Sequence, residues 1–363
     1  MKILHVITSL RIGGAEKLLA DLLPRLQQNG HKVAIYVFLG IHTPLVDQLQ
    51  SSGVRVLLGR DTDSVYNPKH IKVLRKLMPE YDIVHAHNSS PQLFVALANI
   101  GLNKPIVTTE HSSDNRRRKL IFFHLLDKWM YRQYRRIICI SKPCKKNLQE
   151  YLDLEITNSL CIINNGIDTQ HFAKARPSLE YCHKSLHASH IIINVAGFRW
   201  EKDQPTIIRA IQLLPEDYHL LLAGDGELKN NCYQLAQKLG VDGRVHFLGL
   251  RTDVDELLQA SDVVVMSSHH EGLSLSNLEG MAAGKPFVAS DVDGLKEIVA
   301  GYGLLFPHEN HQVLACIIKK LCEDKEYAAT VATRCQQRAM EFDIKNTVAA
   351  YDAIYDEIIT RNA

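Results

Sequence analysis

The sequence predicts an α/β chain made of two doubly wound, Rossmann-like domains. Three observations carry this. Short apolar strands alternate with helical patterns along the whole length. The strands are continuous apolar runs rather than in-and-out alternations, which indicates parallel sheets covered on both faces. The cycle also starts afresh past "NNGIDTQHFAKARPSLE", in a chain whose 363 residues exceed one ordinary core.

The first cycle offers the strands "KILHVIT", "HKVAIYVF", "VRVLL", "DIVHAH", "PIVTTEH", "RIICIS" and "LCIIN". Helical segments lie between most of them, among them "AEKLLADLLPRLQQNG", which is expected to end on Gly30 as its cap. The polar stretch around 166–190, with Pro177, reads as a linker. The second cycle runs through "HIIINVAGF", "YHLLLAGDG", "RVHFLG", "DVVVMSS", "PFVAS" and "GLLF". After "PHEN" the pattern is helical to the end.

Composition narrows the function. With 46% hydrophobic and 23% charged residues the chain is globular, and a net charge of +2 gives no global field for nucleic acid. Its eight cysteines form no CxxC pair, which suits reduced thiols better than disulfides or a zinc site. The opening "MKILHVITSL" is too short to span a membrane and lacks a cleavage site, and no later run is long enough. A soluble cytoplasmic protein is expected.

Open parallel sheets bind ligands at the carboxyl ends of their strands. Two such sheets facing each other would set their loops across a central cleft, which suits a reaction joining two substrates. Several motifs fall in these loops. Gly13 and Gly14 in "TSLRIGGAEKLL" permit close approach of an anion to a helix N-terminus, although a plain strand–helix turn would look the same. In "AGFRWEKDQ", Arg199 and Lys202 could neutralise a diphosphate without a metal; two cations on a solvated loop are the duller alternative. "LLLAGDGEL" ends a strand on Gly224, Asp225 and Gly226, as a tight turn also would. Of 18 histidines, His111 in "VTTEHSS" is preferred, because small polar residues follow its strand.

The stretch "HHEGLSLSNLEGMAAGKPFVAS" carries the sharpest expectation. Glu271 should lie in a loop, a helix should start near Ser274 or Ser276, and Glu279 should lie inside it. A ligand phosphate at that helix N-terminus would gain from free N–H groups, with small residues keeping the approach open and the two acids holding hydroxyls on either side. An ordinary helix with surface glutamates is the alternative.

"GGAE", "DIVHAH", "TTEH", "ICISK", "NNGID", "EKDQ", "AGDG", "RVHFLG", the E-x7-E run and "AAGKPFVAS" occur in one order over essentially the whole chain. Together they resemble glycosyltransferase family 4, the retaining group 1 transferases of GT-B fold. The resemblance implies an acceptor-binding domain over 1–168 and a nucleotide-sugar domain over 169–343. It further implies a final helix, 344–363, crossing back to the first domain. It implies no cofactor and no metal. Glu271 would hold donor-sugar hydroxyls, and backbone groups of Gly272, Leu273, Ser274 and Leu275 would contact sugar and phosphate. Glu279 would bind ribose, the base would stack near Gly249, Leu250 and Arg251, and Gly14 and His111 would serve from the first domain. The family's arginine directly after the strand is replaced here by Gly197, with Arg199 two residues on, so Lys202 is the cation that matches.

The implied reaction moves a sugar from a nucleotide diphosphate sugar, UDP-sugar favoured, to a glycan or lipid-linked acceptor in surface polysaccharide synthesis. A nucleotide-sugar 2-epimerase of the same fold and a non-catalytic transferase-like subunit are the rivals. Between 112 and 136, Arg116, Arg117, Arg118 and Lys119 lead a basic, amphipathic segment that suits docking on anionic lipid at the inner face of the cell membrane, as well as packing as an ordinary helix. Nucleic acid is not expected as a partner.

Overall fold

The computed structural model describes the chain except residues 12, 61–63, 112–120, 153–158, 179–189, 272–273 and 362–363; of 121–123 it describes the backbone alone. The chain divides into two compact units, Met1–Gly166 with Ile344–Ala363, and Ile167–Asp343.

The strands of the first unit are β1 Lys2–Ile7, β2 Lys32–Val37, β3 Arg55–Leu58, β4 Ile83–His87, β5 Ile106–Glu110, β6 Arg136–Cys139 and β7 Leu160–Ile162. They form one parallel sheet in the order β3-β2-β1-β4-β5-β6-β7. The second unit repeats the plan with β8 His190–Val195, β9 Tyr218–Ala223, β10 Val245–Gly249, β11 Val263–Met266, β12 Phe287–Ser290 and β13 Leu304–Phe306, ordered β10-β9-β8-β11-β12-β13. Both are doubly wound Rossmann-like sheets, as the sequence predicts. The order reverses between β1 and β4 and between β8 and β11, and ligand crevices of such sheets open at those points.

The continuous apolar runs explain the burial. Ile3, Leu4, Val6 and Ile7 of β1 and every residue of β4, β11 and β12 are buried. Helices cover them with leucine stripes: Gly14–Gln28 buries Leu18, Leu19, Leu22, Leu23 and Leu26, and Gly30 at φ +89° stops it in the left-handed region. The last helix, Ile344–Thr360, packs in the first unit, where Tyr351 and Tyr355 are fully buried.

Part of the expected linker is helical. Thr169–Lys174 is a helix of the second unit, capped by the Asp168 carboxylate, which accepts from the His171 N–H at 3.0 Å. Phe172 buries itself there and fixes the turn. A single short turn built around one aromatic residue leaves no periodicity to read.

In the second unit the ends of β8 and β9 lie against each other. Gly224, at φ +149°, passes so close that an added Cβ would stand 2.0 Å from the Ala196 carbonyl oxygen. Gly224→Ala therefore strains both backbone and packing, and should lower stability by about 2 kcal/mol or more. Urea denaturation checks this; an unchanged midpoint and slope would refute the close approach.

Candidate active site

In the second unit, the turn after β8 is Trp200–Lys202, followed by Asp203 in the left-handed region at φ +44°. Ser267, just past β11, fastens that turn: its hydroxyl donates to the carbonyls of Lys202 at 3.0 Å and Asp203 at 2.7 Å. From the end of β12, the Ser290 hydroxyl donates to the Ser268 carbonyl at 2.6 Å. These bonds bring the loops after three strands to one place. There the Glu271 carboxylate accepts from the Lys202 ammonium and, at 2.9 Å, from the Ser268 hydroxyl, through the same Oε1 atom. The Glu271 side chain is only 8% exposed, and Lys202 remains open at 21%. The backbone under Glu271 is fixed as well. Gly294, at φ +85°, lies where an added Cβ would stand 1.9 Å from the Glu271 carbonyl oxygen.

Ser274 precedes the helix Leu275–Ala282 in extended conformation, and its side chain makes no capping bond. Glu279 lies inside the helix and is buried. One of the small residues, Gly280, acts differently from the expectation. A Cβ on Gly280 would meet Val264 at 2.8 Å and Phe287 at 3.0 Å, so this glycine seats the helix on its own sheet rather than opening a path for ligand. Asn277, buried with both amide atoms unpartnered among the described residues, is a polar feature the sequence reading passed over. Gly272 and Leu273 lie outside the described residues.

Arg199 is exposed and makes no ion pair among the described residues. Its Nε stands 3.8 Å from where a Cβ on Gly197 would be, so the side chain returns over the glycine that replaces the family's arginine. Arg251 is occupied: Asp253 grips its guanidinium through two bonds, at 2.8 and 2.6 Å, which hold the Asp253 carboxyl below its usual range. Gly249 closes β10 at φ +69°, and Leu250 beside it is exposed. A shallow pocket of about 390 Å³ lies nearby, lined by Gly226, Glu227, Lys229, Asn230, Tyr233 and Phe247.

In the first unit, Gly13 caps the helix Gly14–Gln28 with ordinary extended backbone. A Cβ here would stand 2.5 Å from Glu16 Oε2, the mobile end of a side chain that would have to shift to admit it. Around Gly14 the space is open. Burial raises the Glu16 carboxyl, and a hydrogen bond with Asn88 opposes that rise. Sequence reading passed over both residues, although "GGAE" contains the glutamate.

Four histidines gather on neighbouring strands: His5 within β1, His85 and His87 on β4, and His111 just past β5. His5 Nδ1 lies 3.0 Å from His87 Nε2, and His87 Nδ1 lies 3.0 Å from His111 Nε2. His85 contacts Tyr355 Oη at 2.6 Å and Thr109 Oγ1 at 2.8 Å. Burial lowers all four imidazoles, His5 to about 3 and His111 to about 4, so they are neutral near pH 7. His85 and His87 were visible in "DIVHAH", but contacts across strands leave no trace in a single motif. Next to His111, Glu110 is structural: its carboxylate accepts from Gln92 and Tyr131, both at 2.5 Å.

Among the described residues, two groups could hold a metal ion: His5, His85 and His87, and His269, His308 and Glu309. In the first, every ring nitrogen but His5 Nε2 is already engaged in a hydrogen bond.

The basic segment is corrected at one end. Arg136 lies in β6 and pairs with Glu357 of the last helix at 2.5 Å. In the helix Ile121–Arg132, Asp127 and Met130 are buried while Leu125 is 77% exposed. Arg116, Arg117, Arg118 and Lys119 lie outside the described residues. Among the described residues no helix is long and apolar enough to cross a membrane.

Residues 183–338 match the model of "Glycosyl transferases group 1", and residues 12–171 that of "Glycosyltransferase Family 4". The chain is similar to UDP-Gal:alpha-D-GlcNAc-diphosphoundecaprenol alpha-1,3-galactosyltransferase of Escherichia coli, 28% identical over 272 residues, 69% of this chain and 70% of that one. It is similar to N,N'-diacetylbacillosaminyl-diphospho-undecaprenol alpha-1,3-N-acetylgalactosaminyltransferase of Campylobacter jejuni, 28% identical over 210 residues, 56% and 55% of the two chains. Among solved structures it resembles Anabaena HepE in complex with UDP-glucose, with TM-score 0.84 and 22% identity over 98% of this chain and 100% of that one. That likeness is one of fold, GT-B.

The histidines couple this site to stability. Their folded-state values lie below the ordinary 6.5, so on acidification the unfolded chain takes up protons first. Stability is full above about pH 6.5 and should fall below it by ~1.4 kcal/mol per pH unit for each such imidazole. Urea denaturation at pH 7, 6 and 5 measures the slope; a flat profile would contradict the burial of neutral imidazoles.

Proposed function

The chain belongs to the family 4, group 1 glycosyltransferases, and from that premise we propose that it is a retaining hexosyltransferase using a nucleotide diphosphate sugar, UDP-sugar favoured. Its acceptor is a glycan or lipid-linked sugar in cell-surface polysaccharide synthesis. The observation that carries this reading is the contact of Lys202 with Glu271, four residues ahead of the helix Leu275–Ala282 in the chain. A cation beside free helix N–H groups suits a diphosphate, and a carboxylate suits sugar hydroxyls. The Escherichia coli and Campylobacter relatives support the acceptor class, since both are named for diphosphoundecaprenol-linked sugars. The Anabaena protein's UDP-glucose supports the donor class.

In this mechanism the acceptor oxygen attacks the anomeric carbon on the face from which the diphosphate departs. The anomeric carbon–oxygen bond to phosphate breaks, the new glycosidic bond forms, and the acceptor's proton passes to an oxygen of the leaving diphosphate. Lys202 stabilises the charge growing on that group, and Arg199 adds a second cation. Glu271 accepts from the sugar's hydroxyls, Glu279 from the ribose, and His111 contacts the sugar. No metal takes part, so a chelator should leave the rate unchanged. Arg116, Arg117, Arg118 and Lys119 attach the protein peripherally to anionic lipid on the cytoplasmic face.

Lys202→Ala and Glu271→Ala should each lower kcat by about 10²-fold or more while the protein still folds cooperatively, and Lys202→Ala, which leaves the Glu271 carboxylate without its cation, should also lower the melting temperature. Wild-type turnover in either would sink the mechanism, as would a product of inverted configuration by NMR. The membrane arm is tested by flotation: the protein should rise with anionic liposomes and not with neutral ones, and equal recovery would remove it.

A further inference from the structure

We infer that His5, His87 and His111 form one imidazole chain whose tautomers are locked in a single register, so that His5 and His87 are positioning residues for the nitrogen that His111 presents to substrate. The inference rests on the reading of His111 as a substrate contact. Three strands build the chain: β1 and β4 are neighbours, with His5 opposite His85, and β4 and β5 are neighbours, with His87 opposite Thr109. His5 and His87 are fully buried. Their rings lie 11° from parallel with centroids 5.3 Å apart, which is the edge-to-edge geometry of an in-plane hydrogen bond.

A neutral imidazole carries one N–H and one bare nitrogen. If His5 donates from Nδ1, then His87 accepts at Nε2, must donate from Nδ1, and obliges His111 to accept at Nε2 and carry its proton on Nδ1. The opposite register reverses every bond. Any mixed assignment leaves two lone pairs or two protons face to face and loses a bond in a buried place. Among the described residues both ends of the chain are unpartnered buried nitrogens, His5 Nε2 and His111 Nδ1. The inner end selects the register. Each register puts an N–H at one end and a bare nitrogen at the other, and an orphaned buried N–H is the costlier of the two; the end that a substrate oxygen meets is His111, so His5 leaves Nε2 bare and His111 carries the N–H on Nδ1. The chain thus presents a hydrogen-bond donor to a substrate oxygen and keeps the imidazole lone pair turned inward. His85 stands outside it, held between Tyr355 and Thr109, with the Thr109 hydroxyl 3.0 Å from that of Tyr351.

Long-range proton–nitrogen correlation spectra of the full chain labelled with ¹⁵N-histidine, at pH 7, read the tautomers directly and need no turnover. His5, His87 and His111 should all show the Nδ1–H form; different forms among the three, or a shared Nε2–H form, would overturn the inference. His87→Gln keeps an acceptor and a donor, whereas His87→Phe keeps the bulk and breaks both links. With a nucleotide sugar that the wild type turns over, kcat should fall about tenfold or more in the Phe variant and by far less in the Gln variant, with KM little changed in both. Equal kcat in the two variants would count against the positioning role. Should no nucleotide sugar be turned over, the proposed function fails, while the spectra still decide the chain.

Discussion

A buried carboxylate is stable only with partners, and Glu271 has two on one oxygen, the Lys202 ammonium and the Ser268 hydroxyl. The rest of the second unit's site depends on that contact. It requires three loops to meet within hydrogen-bond reach, and the chain meets the requirement with short polar side chains. Ser267 ties the turn at Lys202 and Asp203 to β11, and Ser290 ties Ser268 to β12. Gly294 lets another loop pass directly against the Glu271 carbonyl. A cation already paired with a carboxylate is not free to wander. It can also share its charge with an arriving phosphate without first being desolvated, which is how preorganised sites avoid reorganisation during reaction.

The sheet places these groups. In a parallel sheet every strand delivers its carboxyl end to the same edge, and both units use the point where strand order reverses. Lys202 follows β8 and Glu271 follows β11, the two strands flanking the reversal in one unit. In the other unit His5 lies on β1 and His87 on β4, again the flanking pair. One folding plan thus yields two different chemistries: a charged pair open to solvent in the second unit, and a neutral, buried polar network in the first.

Much of this was legible in the sequence. Strands buried on both faces leave continuous apolar runs, so their existence and parallel arrangement could be read without tertiary information. The loops that carry Lys202 and Glu271 were legible because polar and small residues interrupt those runs. What stayed hidden involves contacts between distant positions. Gly280 looked like space for a ligand, and it is space for Val264 and Phe287. Gly294 lies 23 residues after Glu271, and nothing local marks it as that residue's support. "DIVHAH" displays two histidines equally, yet only the pairing of β1, β4 and β5 separates His87, which touches His111, from His85, which touches the last helix. The short helix around Phe172 was missed because one turn has no period.

The histidines also bear on where the acceptor's proton goes. Burial lowers His111 to about 4, which makes its imidazole a poor base near neutral pH. In the register argued above its lone pair is engaged with His87, and the nitrogen left for substrate carries a proton. On both counts His111 is suited to donate a hydrogen bond and unsuited to remove a proton. Glu271 is taken up by a cation and a hydroxyl. In the proposed reaction the group left with growing basicity is the departing diphosphate itself, as its bond to the sugar breaks. In that proposed reaction, the fixed cation and the fixed neutral donor hold reactants still and stabilise charge on the leaving group. That division of labour suits the front-face, retaining transfer proposed above.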